Sequence, residues 1–153
     1  MSDVTRLLRA LDQGYHRPSW HGTNLRGSIR GLRPAAAARR PGRGRHNIQE
    51  IVVHCAYWKY AVWRLLTGAK RGAFAHNGSN WFPRSGADAA AWRADVALLD
   101  DMHRRLRAAV ASLTPRQLSA HGKGRFTKAD LVAGVTAHDL YHAGQIQLIK
   151  RFL

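Results

Sequence analysis

Apolar residues recur at helical spacing in four long stretches of the chain. Within each stretch they follow one another in steps of three, four or seven residues, so that each set lies on one face of a helix. The stretches cover residues 3–16, residues 47–66, a segment from Ser85 to Leu113, and a segment that opens at Thr127 and runs almost to the C-terminus. The pattern predicts four long amphipathic helices and no strand.

Local signals mark where these helices begin and end. An Asn, Ser or Thr with an acidic residue three positions later has the spacing of a capping box, in which each side chain binds a free backbone N–H group. The pairs with this spacing are Asn47 with Glu50, Ser85 with Asp88 and Thr127 with Asp130. We expect the first three helices to end before Pro18, at Gly68 and at Thr114-Pro115, and residues 121–124 to form a turn.

Four capped amphipathic helices predict an all-α protein that packs as a four-helix bundle. A length of 153 residues, of which 45% are hydrophobic, suits one domain with a sizeable core, so we expect residues 1–153 to form a single domain. Residues 33–46 are rich in Arg, Pro and Gly and predict a solvated basic linker. Residues 68–86 predict a loop, and its aromatic residues, Trp81 among them, need a groove in which to pack.

The chain is strongly basic, with 25 Lys and Arg residues against 9 Asp and Glu residues and a formal charge of +16. Such a surface attracts polyanions, so nucleic acid is a possible partner. We do not favour it, because the most basic run, residues 35–47, has no aromatic residue to stack on bases. The single cysteine, Cys55, agrees with a reducing compartment. Because no membrane-spanning run or signal peptide is recognisable, we expect a soluble, cytoplasmic protein with no membrane partner.

Two histidines lie on the apolar face of the last predicted helix. His138 and His142 share that face with Leu131 and Val135. Their spacing of four residues separates the Cβ atoms by about 5–6 Å, so both imidazoles can reach one ion. His54 lies on the inward face of the second predicted helix and is the expected third ligand. Three imidazoles leave a divalent ion an open coordination position, which is typical of catalytic metal sites.

The alternative is that these histidines are core residues with ordinary hydrogen-bond partners. The chain has 9 histidines, so the spacing of His138 and His142 carries little weight alone. Their placement on apolar faces favours metal binding, because an unpaired imidazole loses its hydration when it is buried. His103 also continues an apolar stripe, but its arginine neighbours predict a place at the helix edge, and we leave it out of the site.

Other side chains are candidates for roles around the ion. Gln145 follows on the ligand face and Glu50 lies one turn before His54, so both can orient a ligand or a bound water. For Glu50, helix capping is the stronger interpretation. Candidates to line the pocket, or to offer a phenol to a substrate, are Tyr57, Trp58, Trp81 and Tyr141.

Two segments carry a family resemblance. Residues 138–151, HDLYHAGQIQLIKR, and residues 46–68, HNIQEIVVHCAYWKYAVWRLLTG, resemble the DinB/YfiT-like superfamily of metal-binding four-helix proteins. The spacing HxxxHxGQI at the C-terminus is the most specific part. WHGTNLRGSIRGL at residues 20–32 and NWFP at residues 80–83 extend the resemblance over nearly the whole chain.

The resemblance implies an up-down-down-up bundle in which three histidines, here His54, His138 and His142, hold zinc or nickel. Relatives with known chemistry include transferases that use bacillithiol, mycothiol or glutathione, and a maleylpyruvate isomerase, while many others are described only as hydrolases. We therefore expect a metal-dependent S-transferase or hydrolase that acts on a small molecule, with a low-molecular-weight thiol as cosubstrate, and we expect a homodimer. The alternative is a non-catalytic stress-response binding protein with a basic surface and a structural or vestigial metal site.

Overall fold

The fold is almost entirely helical. A computed structural model of the protein describes residues 2–153. The four long helices are α1 (Asp3–Tyr15), α4 (Ile48–Thr67), α5 (Ala89–Ala111) and α7 (Lys128–Ile149). The short elements between and after them are α2 (Leu25–Ser28), α3 (Pro34–Ala38), α6 (Pro115–Leu118), β1 (His121–Lys123), β2 (Phe126–Thr127) and a 3-10 turn (Lys150–Phe152). The all-α class predicted from the sequence is confirmed.

The ends of α4 and α7 follow from their capping residues. The side chain of Asn47 accepts a hydrogen bond from the backbone N–H of Glu50, and the carboxylate of Glu50 accepts one from the N–H of Asn47. Thr127 and Asp130 form the same reciprocal pair at the start of α7. Gly68 ends α4 with a φ of 74°, a left-handed conformation that glycine adopts without steric penalty. Both of these capping boxes were expected from the sequence.

The start of α5 differs from the prediction. Its N-cap is Asp88, whose carboxylate accepts a hydrogen bond from the N–H of Ala90. Ser85 lies three residues before this cap. The predicted capping box of Ser85 and Asp88 is wrong because aspartate is itself a favoured N-cap and takes that position directly.

A small β-hairpin follows α6, where the sequence predicts only a turn. Its two strands pair in antiparallel register. Gly124 turns the chain with a φ of 57°. Gly122 lets the first strand pass close to α7, since a Cβ at this position would lie 2.8 Å from the side chain of Leu131. The prediction of no strand is wrong because strands of three and two residues are too short to show an alternating pattern.

The basic segment at residues 33–46 contains a short helix that packs on the bundle, while residues 42–46 are exposed. Residues 34–38 form α3, and Ala37 within it is fully buried. Arg40 donates hydrogen bonds to both carboxylate oxygens of Glu50, which is itself buried. A charge-assisted, bidentate contact of this kind fixes a segment that composition alone marks as flexible.

Each long helix packs against two of the other three. Both α1 and α4 contact α5 and α7, so α1 and α4 lie at opposite corners of the bundle. The core comprises two apolar clusters, one around Leu99 and Ile146 and one around Leu106 and Val132. These four side chains have no exposed surface, and such burial is the main stabilising term of the fold. Among residues 2–153, no helix combines the length and the apolar character needed to cross a membrane.

A cluster of polar side chains is buried where α1, α4, α5 and α7 meet. Lys59 and Asp139 have no exposed surface and form an ion pair. The Nδ1 atom of His103 lies 3.5 Å from the Nζ atom of Lys59, and its ring stacks on Tyr15 with 3.8 Å between centroids. His103 is 4% exposed, so its predicted place at a helix edge is wrong. Either charge of the pair would be costly to bury without the other, so both residues are needed together.

Candidate metal centre

Three histidines from two helices meet at one point of the bundle. Helix α4 supplies His54, and α7 supplies His138 and His142. The Nε2 atom of His138 lies 3.0 Å from the Nε2 atom of His54 and 3.1 Å from that of His142. These side chains form a group whose nitrogen atoms are close enough together to hold one metal ion. The structure thus brings together the three histidines that the sequence singles out.

In two of these rings the outer nitrogen, Nδ1, which points away from the centre of the cluster, already has a hydrogen-bond partner. The Nδ1 atom of His54 lies 2.8 Å from the backbone oxygen of Asn80, and that of His142 lies 2.7 Å from Oε1 of Gln145. The amide NH₂ of Gln145 donates to the hydroxyl of Tyr141, which fixes the orientation of the amide. Because a carbonyl oxygen only accepts hydrogen bonds, each Nδ1 carries the proton. The Nε2 atom of each neutral ring therefore presents a lone pair to the centre.

All three imidazoles are neutral near pH 7. Burial, and after it the neighbouring His142 and His54, lowers the pKa of His138 to about 3. Burial likewise lowers the pKa of His142 to about 4 and brings the pKa of His54 below its usual value. Neutral imidazole is the form that binds a metal ion, so no proton has to leave before the ion binds at this pH.

A cation bound between the rings would relieve the close contacts between the Nε2 atoms. His138 can donate a proton to one neighbour at most, so at least one of the two Nε2–Nε2 contacts, at 3.0 and 3.1 Å, has no proton between its nitrogens. Tetrahedral zinc with Zn–N bonds of about 2.0–2.1 Å holds its nitrogen ligands roughly 3.3–3.4 Å apart, so a slight opening of the cluster is sufficient. Imidazole is a common ligand of divalent transition metals, and three imidazoles leave a coordination position free. The residues present therefore fit a divalent metal ion.

The loop before α5 builds one wall of the site. Trp81 lies flat between His46 and His54, with ring centroids 3.7 and 3.8 Å apart. Asn80 has a φ of 67°, in the left-handed region that asparagine tolerates better than most residues. Its backbone oxygen accepts the hydrogen bond of His54, and its side-chain oxygen accepts one from the indole N–H of Trp58. Asn80 therefore positions both a candidate ligand and an aromatic wall.

Neither Asn80 nor His46 is predicted to belong to the site. The only local signal for Asn80 is an asparagine in a loop rich in Gly and Ser, where a left-handed residue is common. His46 precedes the N-cap of α4 and looks like a solvated residue in the sequence. Their contacts depend on the path of a loop of about twenty residues, and no periodic pattern encodes that path.

Three of the other predicted residues lie close to the histidines. Gln145 contacts His142 directly, and the exposed Tyr141 contacts His142 through Gln145. The ring of Trp58 lies 6.2 Å from that of His138 and is 36% exposed. These residues form the outer rim of the centre, and each is accessible to a small molecule.

Glu50 and Tyr57 lie further from the histidine cluster. Glu50 caps α4 and also binds Arg40 and His46. Burial alone would raise the pKa of this carboxyl, but Arg40 and His46 hold it below its usual value. Glu50 thus supports Trp81 through His46. Tyr57 packs against the aromatic rings of the loop, including Phe74.

Two separate grooves lie beside the histidine cluster, and each is lined by a different histidine of the cluster. The first, which we call the Arg45 groove, has a volume of about 490 Å³. It is lined by His142 together with Arg45, His46, Trp81, Tyr141 and Gln145, among others. The second, which we call the Gly134 groove, has a volume of about 320 Å³. It is lined by His138 together with Trp58, Val62, Phe126, Leu131 and Gly134, among others.

A sequence model of the DinB superfamily matches residues 19–146. This segment contains all three histidines and the loop between α4 and α5. The chain belongs to the DinB superfamily. This membership confirms the resemblance carried by residues 46–68 and 138–151. No curated protein and no solved structure matches this DinB protein significantly. Its chemistry has to be argued from its own site.

Proposed function

We propose that this DinB protein binds a divalent zinc or nickel ion through His54, His138 and His142 and transfers a low-molecular-weight thiol to a small electrophilic molecule. The observation that carries the proposal is the convergence of three Nε2 atoms at 3.0 and 3.1 Å, with the outer nitrogens of His54 and His142 held by Asn80 and Gln145. An ion bound there supplies Lewis acidity, which lowers the pKa of a coordinated thiol into the physiological range.

The Arg45 groove supports a thiol as the cosubstrate. Low-molecular-weight thiols generally carry carboxylates, and arginine binds a carboxylate through two parallel hydrogen bonds. Arg45, Tyr141 and Gln145 line the same groove as His142. We infer that the thiol lies in this groove with its carboxylates near Arg45 and its sulfur at the histidine cluster. Hydrolysis is the second candidate, with water in place of the thiol, but it gives the Arg45 groove no role.

The chain's own residues hold the site in order. The backbone oxygen of Asn80 keeps the imidazole proton of His54 on its outer nitrogen, and the side chain of Gln145 does the same for His142. Trp81, stacked on His54, covers one side of the cluster and limits the access of water. The first effect leaves the inner nitrogens of His54 and His142 free as ligands, so that only a slight opening of the cluster is needed on binding.

We also infer that the four long helices follow the up-down-down-up order. Helices α4 and α7 are antiparallel, because the end of α4 contacts the start of α7 (Leu66 with Lys128) and an earlier part of α4 contacts a later part of α7 (His54 with His138). Helices α1 and α5 are antiparallel for the same reason, with contacts between Asp12 and Arg107 and between Tyr15 and Asp100. The contacts that support parallel α4 and α5 are Lys59 with His103 and, further along both helices, Leu66 with Val110 in one apolar cluster. This order lets α4 and α7 bring their histidines to the same level.

The proposed activity is tested with glutathione, bacillithiol and mycothiol, each offered to the zinc- or nickel-loaded protein with 1-chloro-2,4-dinitrobenzene as the electrophile. We expect metal-dependent thioether formation with at least one thiol, lost in His54→Ala and kept in His16→Ala. An unchanged rate in His54→Ala, or metal binding without turnover of any of the three thiols, would contradict the proposal. The second outcome would favour a non-catalytic binding protein.

The place of the thiol is tested separately at Arg45. We expect Arg45→Gln to raise the KM for the thiol about tenfold or more, as for a lost charge-assisted hydrogen bond, with kcat nearly unchanged. Arg43→Gln, two residues away and outside the groove, is the matched control. Equal KM values in the two variants would remove the thiol from this groove.

A further inference from the structure

We propose that the Gly134 groove is the binding site for the second substrate and that it takes the uncharged, apolar body of the electrophile. This inference rests on the proposed function, since it names the substrate class of the same centre. The two grooves share no lining residue, and each reaches the histidine cluster through a different histidine, His142 in the Arg45 groove and His138 in the Gly134 groove. Two substrates can thus approach one ion by separate routes.

The lining of the Gly134 groove is mostly apolar. Apart from His138, its only titratable residue is Asp130. Both the backbone N–H and the hydroxyl of Thr127 already donate to the Asp130 carboxylate, as part of the capping box of α7. The Asp130 carboxylate repels anions and the remaining surface is apolar, so an anionic ligand would lose its hydration without finding a partner. The volume of about 320 Å³ is at the small end of small-molecule sites.

Large apolar side chains are left exposed along this groove. Phe126 is 47% exposed and Trp58 is 36% exposed. The indole of Trp58 is held by Asn80, the residue that also orients His54. The wall of the groove and one candidate ligand therefore share a support, which fixes the distance between a bound apolar group and the ion.

Gly134 keeps the groove open. It lies in the interior of α7, one turn before His138 and on the same helix face. Glycine destabilises the interior of a helix relative to other residues, and packing does not require it here, because an added Cβ would meet no atom within 4 Å. A side chain at this position would occupy space next to His138 that is otherwise free. The open space itself is the feature that the glycine preserves.

The transfer then balances as a substitution. The thiolate sulfur donates an electron pair to the electrophilic carbon and forms a C–S bond. The bond between that carbon and its leaving group breaks, and the leaving group departs with the bonding pair. The proton released by the thiol goes to solvent. No oxidant or reductant takes part.

The test fills the groove without altering the ligands. Gly134→Leu places a side chain in the Gly134 groove, while Gly144→Leu is the matched control on the same helix, where an added Cβ also meets nothing within 4 Å and no groove is lined. Activity is measured with 1-chloro-2,4-dinitrobenzene, which has an apolar ring, and with iodoacetamide, which has none. We expect Gly134→Leu to lower kcat/KM for the aromatic electrophile at least tenfold, to lower it much less for the small iodoacetamide, and to leave the metal content unchanged. Gly144→Leu should change neither rate.

Binding is measured apart from activity. We titrate 1,3-dinitrobenzene, which has no leaving group, into ¹⁵N-labelled protein without thiol and follow the indole N–H of Trp58 and the amide of Gly134. We expect shifts centred on these groups, lost in Gly134→Leu and kept in Gly144→Leu. Shifts without any thiol turnover would retain the groove and refute the transferase.

Two results would overturn the inference. The first is thiol turnover in which Gly134→Leu and Gly144→Leu behave alike towards both electrophiles; this would leave the transferase standing without its apolar groove. The second is a change of oligomeric state in Gly134→Leu alone, measured by sedimentation, which would show that a second copy of the chain covers the groove.

Discussion

Two clusters in this protein each contain three potential metal-ligating side chains but differ in their surroundings. One is His54, His138 and His142, and the other is Asp12, His16 and His103. In each cluster the ligand atoms lie within 4.8 Å of one another. Judged by residue type and distance alone, both would be metal sites.

The difference lies in the partners of the ligand atoms. In the three-histidine cluster, the outer nitrogens of His54 and His142 face hydrogen-bond acceptors, so the inner nitrogens of these two rings carry lone pairs. In the second cluster, positively charged side chains already contact two of the potential metal ligands. The Nε atom of Arg107 lies 2.8 and 3.1 Å from the two carboxylate oxygens of Asp12, and the Nζ atom of Lys59 lies 3.5 Å from His103. A metal centre therefore requires the right groups behind its ligands, and a set of ligands alone is insufficient.

The largest expected effect is at Lys59, the cation of the second cluster. Lys59→Met leaves Asp139 as an uncompensated buried charge, and we expect a loss of about 3–5 kcal/mol in the free energy of unfolding. Burial already raises the pKa of Asp139, so the unpaired carboxyl would take up a proton on folding. Urea unfolding at pH 7 measures this effect.

Arg104→Met is the control for that variant. Arg104 is paired with Asp101 at the surface with its side chain 75% exposed, and we expect a change of less than about 1 kcal/mol. Similar losses in Lys59→Met and Arg104→Met would mean that the buried pair has no special weight.

The next effect is the loss of one ligand. We expect His142→Ala to weaken zinc binding at least about a hundredfold, since a four-ligand site that binds zinc with about 10–16 kcal/mol gains roughly 3 kcal/mol from each ligand. His16→Ala, in the second cluster, should leave the affinity unchanged. Competition titration with a chromophoric chelator gives both affinities. If His16→Ala weakened binding as much as His142→Ala, the wrong cluster would have been assigned.

A smaller effect is expected from the group behind a ligand. Gln145→Leu removes the acceptor of the His142 proton, and we expect zinc affinity to fall about tenfold to a hundredfold. Gln147→Leu is the matched control, because Gln147 bonds to Thr23 and does not contact the cluster. The same competition titration applies. An unchanged affinity in Gln145→Leu would refute the idea that the outer partners distinguish the two clusters.

The smallest effect concerns acid stability. Burial first, and then Lys59, lower the pKa of His103 to about 2, against about 6.5 in an unfolded chain. As the pH falls from about 6 to about 4, the unfolded chain binds a proton that the folded chain does not, so stability decreases. His103→Phe should make this decrease shallower by at most about 1.4 kcal/mol per pH unit. Urea unfolding in the presence of EDTA measures the slope, with the exposed His121 changed to Phe as the control. Equal slopes in wild type and His103→Phe would contradict the expectation.

The sequence predicts most of the helices and the central histidines for local reasons. The capping boxes at Asn47 and Thr127 and the helical spacing of His138 and His142 depend only on neighbours along the chain. Gln145 was found in the same way, because it continues the face of α7.

The parts that could not be predicted depend on contacts between distant segments. Asn80 acts through a left-handed turn that brings the loop onto α4, and Arg40 is held by a buried carboxylate ten residues away. His103 looks like an edge residue beside its arginines, yet Tyr15 on another helix covers it. The burial of His103 therefore could not be predicted from the sequence, whereas the three-histidine cluster could.

The central claim is that His54, His138 and His142 together hold one divalent ion, and elemental analysis tests it most directly. The wild-type protein is purified without an affinity tag or chelating column, alongside His54→Ala and His16→Ala. We predict near-stoichiometric zinc or nickel in wild type and His16→Ala, and a loss of most of it in His54→Ala. Equal metal content in all three proteins would contradict the claim.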